Sequence, residues 1–343
     1  MRVLLTGHRG YIGSVLSSLL VERGYDVIGY DTGYYRGCEL YPWDPGGSEI
    51  QKDIRDASAR DLDGIEAIIH LAALSNDPLG ELDSRLTDQI NRDATIRLAR
   101  LAKEAGVKRF VYASSQSMYG VSDTDAELDE ETSEKNPVTA YARTKWEAEE
   151  ELRRIADQDF VVVCMRPSTI FGASPMLRSD IIFNNLVGCA YTTGKIEIKS
   201  DGTPWRPVVH VRDASQAFIA GLEAPPELVN GQAFNVGILN GNFTVQELAE
   251  AARRAVPGSE IVFTGEHGRD SRTYRVSFNK ILSVLKDYYR PEWDLDRGAR
   301  EMIELFDKIG FTGDHLRARF TNRLLQIRYL LDKKQTDKNL RWY

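Results

Sequence analysis

A doubly wound, parallel α/β sheet followed by a smaller mixed α/β lobe is the fold class that this sequence predicts. Two observations carry the prediction. Short apolar runs alternate with helical patterns through the first half of the chain, and after residue 170 that rhythm breaks as Gly and Pro become denser. The apolar runs are residues 1–6, 27–30, 67–71, 109–114 and 160–166, with helical periodicity over 11–23, 82–105 and 139–155. In the second part, helices are expected at 180–193, 211–222, 244–255 and 297–309. Apolar runs at 208–211 and 233–236 are expected to return to the first sheet. The organisation read from this is a first domain over 1–170 with returning segments near 208–236, a substrate lobe over 171–314, and an Arg-rich amphipathic helix within 315–343. The basic face of that helix is expected to meet solvent or a second subunit.

Composition narrows the function. Hydrophobic residues make up 42% and charged residues 28%, ordinary for a globular protein with a full core. A net charge of −7 with no long basic run argues against nucleic-acid binding. Cys38, Cys164 and Cys189 are odd in number and form no CxxC pair, so neither a disulfide framework nor a metal site is expected. The N-terminus runs directly into an apolar strand with no h-region, and no stretch reaches the ~20 apolar residues of a membrane span. The expectation is a cytoplasmic protein.

The first strand leads into Gly7-His8-Arg9-Gly10-Tyr11-Ile12-Gly13, which opens the first helix. Glycines in a strand–turn–helix context allow a tight turn and a close backbone approach to a pyrophosphate, which then meets the positive end of the helix dipole. This is the Rossmann-type arrangement. Asp31 ends the second strand, where a carboxylate accepts hydrogen bonds from ribose hydroxyls and repels a 2′-phosphate. That favours NAD over NADP.

Tyr141 and Lys145 stand four apart at the start of a helix and therefore share a face. A phenol of pKa about 10 is a poor base at neutral pH, and an adjacent ammonium and an oxidised nicotinamide both favour its ionised form. Ser114-Ser115 follows a strand at the sheet edge where ligands bind in such folds, so Ser115 is placed to hold the sugar oxygen that Tyr141 deprotonates.

With these elements the chain resembles the extended short-chain dehydrogenase/reductase family, and within it the nucleotide-sugar epimerase/dehydratase branch, from residue 1 to about residue 310. Gly7, Gly10 and Gly13 match the G-x-x-G-x-x-G loop. Asp53-Ile54 matches the acidic residue near adenine, His70-Leu71-Ala72-Ala73 the strand end beside the cofactor, and Asn91 an Asn on the following helix. Ser114 to Gly120 matches S-S-x-x-x-Y-G, Tyr141 and Lys145 the catalytic pair, and Arg166-Pro167 begins the segment beside the nicotinamide. The resemblance therefore implies catalytic roles for Ser115, Tyr141 and Lys145. It implies cofactor contacts from Tyr11, Ile12, Leu71, Ala72, Ala73, Asn91, Arg166 and Pro167, and NAD as cofactor. In the second lobe it implies that Arg206 grips the diphosphate of a nucleotide sugar, with Arg272 before Arg269 as a second arginine and Asn184-Asn185 against the same group.

Two positions depart from part of the family. Relatives that are 4,6-dehydratases carry an Asp-Glu pair after the strand-end hydroxyl, and this chain has Gln116 and Ser117 beside the sugar instead. Neither carries a proton as a carboxylate does. The reading is an NAD-dependent epimerase of a nucleotide-diphosphate sugar, a homodimer, working through a keto sugar at C4. The alternatives are a 4,6-dehydratase with an unfamiliar acid–base pair, a 4-keto nucleotide-sugar reductase, and a non-catalytic NAD-binding protein on the same fold.

Overall fold

The computed structural model describes residues 1–121, 126–265 and 273–343. Its strands, in chain order, are β1 (Arg2–Thr6), β2 (Asp26–Asp31), β3 (Ser48–Gln51), β4 (Ala67–His70), β5 (Arg109–Ala113), β6 (Val161–Pro167), β7 (Thr169–Phe171), β8 (Lys195–Ile198), β9 (Trp205–His210), β10 (Gln232–Val236), β11 (Asn242–Thr244) and β12 (Glu260–Phe263). Seven of them form a parallel sheet in the order β10-β6-β5-β4-β1-β2-β3.

Both faces of this sheet are covered, which explains the continuous apolar runs. Leu4, Ile68, Phe110, Tyr112 and Val162 point into one core. Their neighbours Val3, Leu5, Ile69, Val111 and Val163 point into the other. The strand order reverses between β1 and β4, and a crevice opens there at the carboxyl ends of the strands.

Several elements differ from the sequence reading. The run at 208–211 does not return to the large sheet. Its residues 208–210 lie in β9, between β7 and antiparallel β11, while Val211 begins a helix, and only β10 returns, beside β6. The segment at 82–105 begins as helix at Ser84–Thr87 and passes through a π-helical stretch, Asp88–Asp93, before Ala94–Glu104. The stretch β3, half-exposed and four residues long, left no clear apolar signal. The Arg-rich segment after residue 314 is not one amphipathic helix. It runs as Gly313–Arg317, a 3-10 turn Arg319–Thr321, and a helix Arg323–Asp332 whose N-cap Asn322 accepts from Leu325 N. Arg323, one of the arginines of this segment, is buried.

The close approach of the first helix, Tyr11–Glu22, to β1 and β4 depends on glycine. A Cβ on Gly13 would lie 2.2 Å from the Gly7 carbonyl oxygen, and one on Gly7 would lie 2.9 Å from Ala72 N. Neither neighbour is a flexible side chain that could move aside. Gly13→Ala is expected to lower the melting temperature by the equivalent of about 1–3 kcal/mol, the cost of overpacking a well-filled interior. Gly313→Ala, whose methyl meets nothing nearer than 3.9 Å, is expected to melt with the wild type. Thermal unfolding of the two variants checks the pair, and equal melting would show that the loop relaxes around the methyl.

Candidate active site

A cavity of about 1200 Å³ follows the carboxyl edge of the large sheet and continues against β9 and the loops around it. Asp31, Asp53 and Ile54 line one end, the glycine loop and Leu71-Ala72-Ala73 the middle, and Ser115, Ser117, Tyr141, Lys145 and Pro167 the part beyond β5 and β6. Asn185 and Arg206 line the far end, together with Lys199 and Tyr274.

The middle of the cavity is built for an anion. Gly10 caps the first helix without a side chain, and no acidic residue occupies the first turn. The early N–H groups of this helix therefore face the cavity with the positive end of the dipole behind them. Gly7 holds a φ of +72° and its carbonyl accepts from Gly10 N at 2.9 Å, which closes the turn. Asp31 accepts from Gly33 N at 2.7 Å and from Arg9 N at 3.2 Å, which fixes its carboxylate at the end of β2. Arg9 itself is committed to Glu49, which it shares with Arg36, through two bonds of 2.8 and 2.5 Å, and Glu39 lies 3.6 Å away, so its charge is neutralised beside the ribose position. These residues fit a dinucleotide whose 2′-hydroxyl is unphosphorylated.

A chain of hydrogen bonds sets the floor. Thr95 Oγ1 donates to Asn91 O, so it can only accept from His70 Nε2, at 2.8 Å. His70 Nδ1 then accepts from Thr6 Oγ1 at 2.7 Å, and Thr6 Oγ1 accepts from Ala72 N. Burial, with Lys145 nearby, pushes the His70 imidazolium down to about 3, so the ring is neutral. Asn91 does not line the cavity. Its amide accepts from Leu74 N and donates to Leu74 O, which clamps the loop after β4. The direct cofactor contact expected of Asn91 becomes a positioning role, and the π-helical stretch carries it.

The helix Ala140–Ile155 starts on a Thr139 cap, whose Oγ1 accepts from Ala142 N and donates to Asp77. Gly80 allows its first turn to approach closely, since a Cβ there would lie 3.0 Å from Tyr141 Cβ. Tyr141, Lys145 and Glu149 follow one face. Lys145 Nζ donates to Ala113 O at 2.7 Å, and burial pulls its ammonium down to about 7. Burial likewise pushes the Tyr141 phenol up to about 12, against the Ser115 hydroxyl and the Arg178 charge. The expected lowering of Tyr141 by Lys145 is therefore not built into the protein alone: Lys145 points to the end of β5, and desolvation outweighs the charges around the phenol. Ser115 Oγ lies 2.8 Å from Ser117 Oγ, and both line the cavity.

Three more expected contacts turn inward. Gln116 Nε2 donates to Arg166 O at 3.0 Å and its Oε1 accepts from Ser168, so the side chain ties β6 rather than reaching the cavity. Arg166 is fully buried and forms a two-bond ion pair with Glu149, whose carboxylate also accepts from Ser114 Oγ at 2.6 Å. Asn184 accepts from Gly172 N and donates to the Tyr11 hydroxyl, inside the protein, while its neighbour Asn185 lines the cavity. Tyr11 contributes to the cavity wall, with its hydroxyl donating to Gly172 O. Arg269 and Arg272 lie outside the described residues. Sequence reasoning missed Arg178, Asp180 and Arg323, all on the cavity wall. Arg178 and Asp180 pair through two bonds of 2.9 Å, and nothing in the R-S-D string distinguishes it from an exposed turn.

Comparison with known proteins agrees with this geometry. Residues 3–237 match the NAD dependent epimerase/dehydratase family. A UDP-glucose 4-epimerase of Bacillus subtilis is 29% identical over 339 residues, covering 88% of this chain and 94% of the relative. A dTDP-D-glucose 4,6-dehydratase of Mus musculus is 26% identical over 323 residues, covering 90% and 89%. The structure of MoeE5 in complex with UDP-glucose and NAD superposes with a TM-score of 0.75 at 27% identity, covering 90% of this chain and 99% of that one.

The lowered Lys145 pKa has a signed consequence. The folded value, about 7, lies below the value of about 10.4 in an unfolded chain. The charged ammonium is therefore disfavoured in the native state. Its cost is fully present below pH 7 and falls as pH rises toward 10, at up to about 1.4 kcal/mol per pH unit. Wild type is expected to gain stability relative to Lys145→Met between pH 7 and 9, measured by chemical denaturation without cofactor. A difference that stays flat across this range would mean that Lys145 remains charged.

Proposed function

Because the chain belongs to the NAD dependent epimerase/dehydratase family, we propose that it is an NAD-dependent epimerase of a nucleotide-diphosphate sugar, inverting C4 through a keto-sugar intermediate. Bound NAD supplies the acceptor that takes the C4 hydride and returns it. The protein's own part is orientation and proton handling. The first helix and Asp31 hold the dinucleotide, while Ser115 and Tyr141 hold the sugar hydroxyl whose proton Tyr141 moves. Lys145, anchored on Ala113 O, keeps a titratable amine against the same floor. Arg206 and Asn185, on the cavity wall beyond Tyr141, suit the sugar diphosphate.

The observation that carries the choice of epimerase is that the two positions directly after Ser115 hold no carboxylate. Gln116 is locked to the backbone of Arg166 and Ser117 is hydrogen-bonded to Ser115. Of the carboxylates on the cavity wall near Tyr141, Asp180 is held in an ion pair by Arg178 and Asp77 accepts from Thr139. A 4,6-dehydratase needs a base for C5 and an acid for the departing C6 oxygen, whereas C4 epimerisation needs only the hydroxyl proton moved. A reductase that exchanges NADPH is disfavoured by Asp31 and by the neutralised Arg9.

Tyr141→Phe is expected to cut turnover by roughly 10²–10⁴-fold or more while NAD binding stays close to wild type. Near-normal turnover in the Phe variant would remove Tyr141 from the chemistry. Screening UDP, GDP, CDP and dTDP sugars in D₂O identifies the reaction by product mass. An epimerase gives an unchanged mass with no deuterium on carbon. Loss of water identifies a dehydratase, and carbon-bound deuterium without water loss identifies epimerisation through an enol.

A further inference from the structure

Two guanidiniums share the cavity wall with a single carboxylate between them. Arg178 spends two of its N–H groups on Asp180 and a third on Ser75 Oγ at 3.4 Å. Arg323 is 2% exposed and donates to two backbone carbonyls, Met176 O at 2.7 Å and Phe320 O at 3.4 Å. Among the described residues no carboxylate comes within ion-pairing distance of it. Its guanidinium lies 4.5 Å from the centre of the Tyr35 ring. Burying a guanidinium without a counter-charge is costly, and such a group is held where an anion can compensate it.

The position says which anion. Tyr35 lies on the link that leaves β2 just after Asp31, at the ribose end of the cavity. Tyr11, in the first turn of the glycine-loop helix, feels the charges of both Arg178 and Arg323. Arg323 thus lies on the cavity wall beside Tyr35, within electrostatic reach of the first turn of the glycine-loop helix. The segment that carries it is fastened to the ribose end by several ties. Gln326 Nε2 donates to Tyr34 O at 2.9 Å, Trp342 Nε1 to Thr32 O at 2.7 Å, and Arg55 Nη1 to Asn339 O at 2.9 Å. Arg341 pairs with Asp53 at 3.3 Å.

We propose that Arg323 binds the diphosphate of the dinucleotide from the side opposite the glycine loop, so that the C-terminal segment completes the cofactor site. This rests on the NAD reading of the cavity and is independent of which reaction the enzyme performs. The glycine loop then supplies backbone N–H groups to one side of the diphosphate, and the C-terminal segment supplies a planar guanidinium to the other.

The test is calorimetric titration of wild type, Arg323→Met and Arg323→Lys with NAD, ADP-ribose, adenosine and UDP. Arg323→Met is expected to weaken NAD and ADP-ribose by roughly ten- to a hundredfold, the loss of a charge-assisted hydrogen bond, and to leave adenosine and UDP unchanged. Arg323→Lys, with the charge but without the fork, is expected between the two. Unchanged NAD and ADP-ribose affinity in Arg323→Met overturns the proposal. Weakened UDP with unchanged NAD also overturns it, and assigns Arg323 to the nucleotide-sugar diphosphate instead. A wild type that binds neither NAD nor ADP-ribose overturns the cofactor reading as well. Hydrogen exchange of the intact wild type gives a readout that does not depend on a variant folding. ADP-ribose is expected to protect amides of residues 315–332 and adenosine is not, and equal exchange with and without ADP-ribose overturns the proposal.

Discussion

The buried ion pair between Glu149 and Arg166 is the contact on which the geometry of the site depends. Glu149 is on the Tyr141 helix, and Arg166 is near the end of β6. Neither side chain is exposed to water, and both oxygens of Glu149 accept from Arg166 while one also accepts from Ser114. Removing one partner from such a pair leaves an uncompensated charge in the interior, a cost of about 3–5 kcal/mol. Arg166 also donates to the Tyr119 hydroxyl, which in turn donates to Asn235 on β10. One carboxylate thus registers the helix against β5, β6 and β10 together. Lys145, one turn earlier, adds the bond to Ala113 O. With Glu149 and Lys145 both anchored, the next residue up the same face, Tyr141, has its position set by the sheet.

The cavity wall divides its charge by region. At the ribose end Asp31 is held by backbone N–H groups, and Arg9 is paired with Glu49 and Glu39, so a second negative charge on the ribose would face the Asp31 carboxylate. In the middle, the wall holds the N-terminal end of the first helix and the buried guanidiniums of Arg178 and Arg323. Around Tyr141, burial is the largest influence on the tyrosine, the lysine and His70 alike. His70 and Tyr141 are thereby held in neutral forms, and Lys145 is brought to where its ammonium titrates near neutral pH; a charged ligand entering here would act on them at short range with little screening.

The last thirty or so residues show how a segment outside the sheet takes part in the cavity. A helix broken at Ala318 turns Arg323 inward and lets Asn322, Arg323 and Leu324 reach the cavity wall. Continued as one straight helix, the segment would carry its arginines along a solvated face. The break makes the difference, and it costs little because Thr321 Oγ1 donates to the His315 carbonyl at 2.7 Å and Asn322 caps the next turn.

The sequence alone determined the parallel sheet, the strand–glycine–helix unit, Asp31 at the end of β2 and the shared face of Tyr141 and Lys145. All of these follow from local spacing: period, turn chemistry, and residues four apart on a helix. It also identified the departure at Gln116 and Ser117, since that depends only on residue type. Tertiary structure alone decided which polar residues face the cavity. Asn184 and Asn185 are adjacent in sequence, yet one satisfies the Tyr11 hydroxyl inside the protein and the other lines the cavity. Asn91, Gln116 and Arg166 carry motif positions and serve as ties beneath the site, while Arg178 and Arg323, from strings with no signal, reach its wall. Local pattern sets the backbone state of each residue. The direction of a buried polar side chain is set by partners distant in sequence, because each such group must find a hydrogen bond or counter-charge once water is excluded.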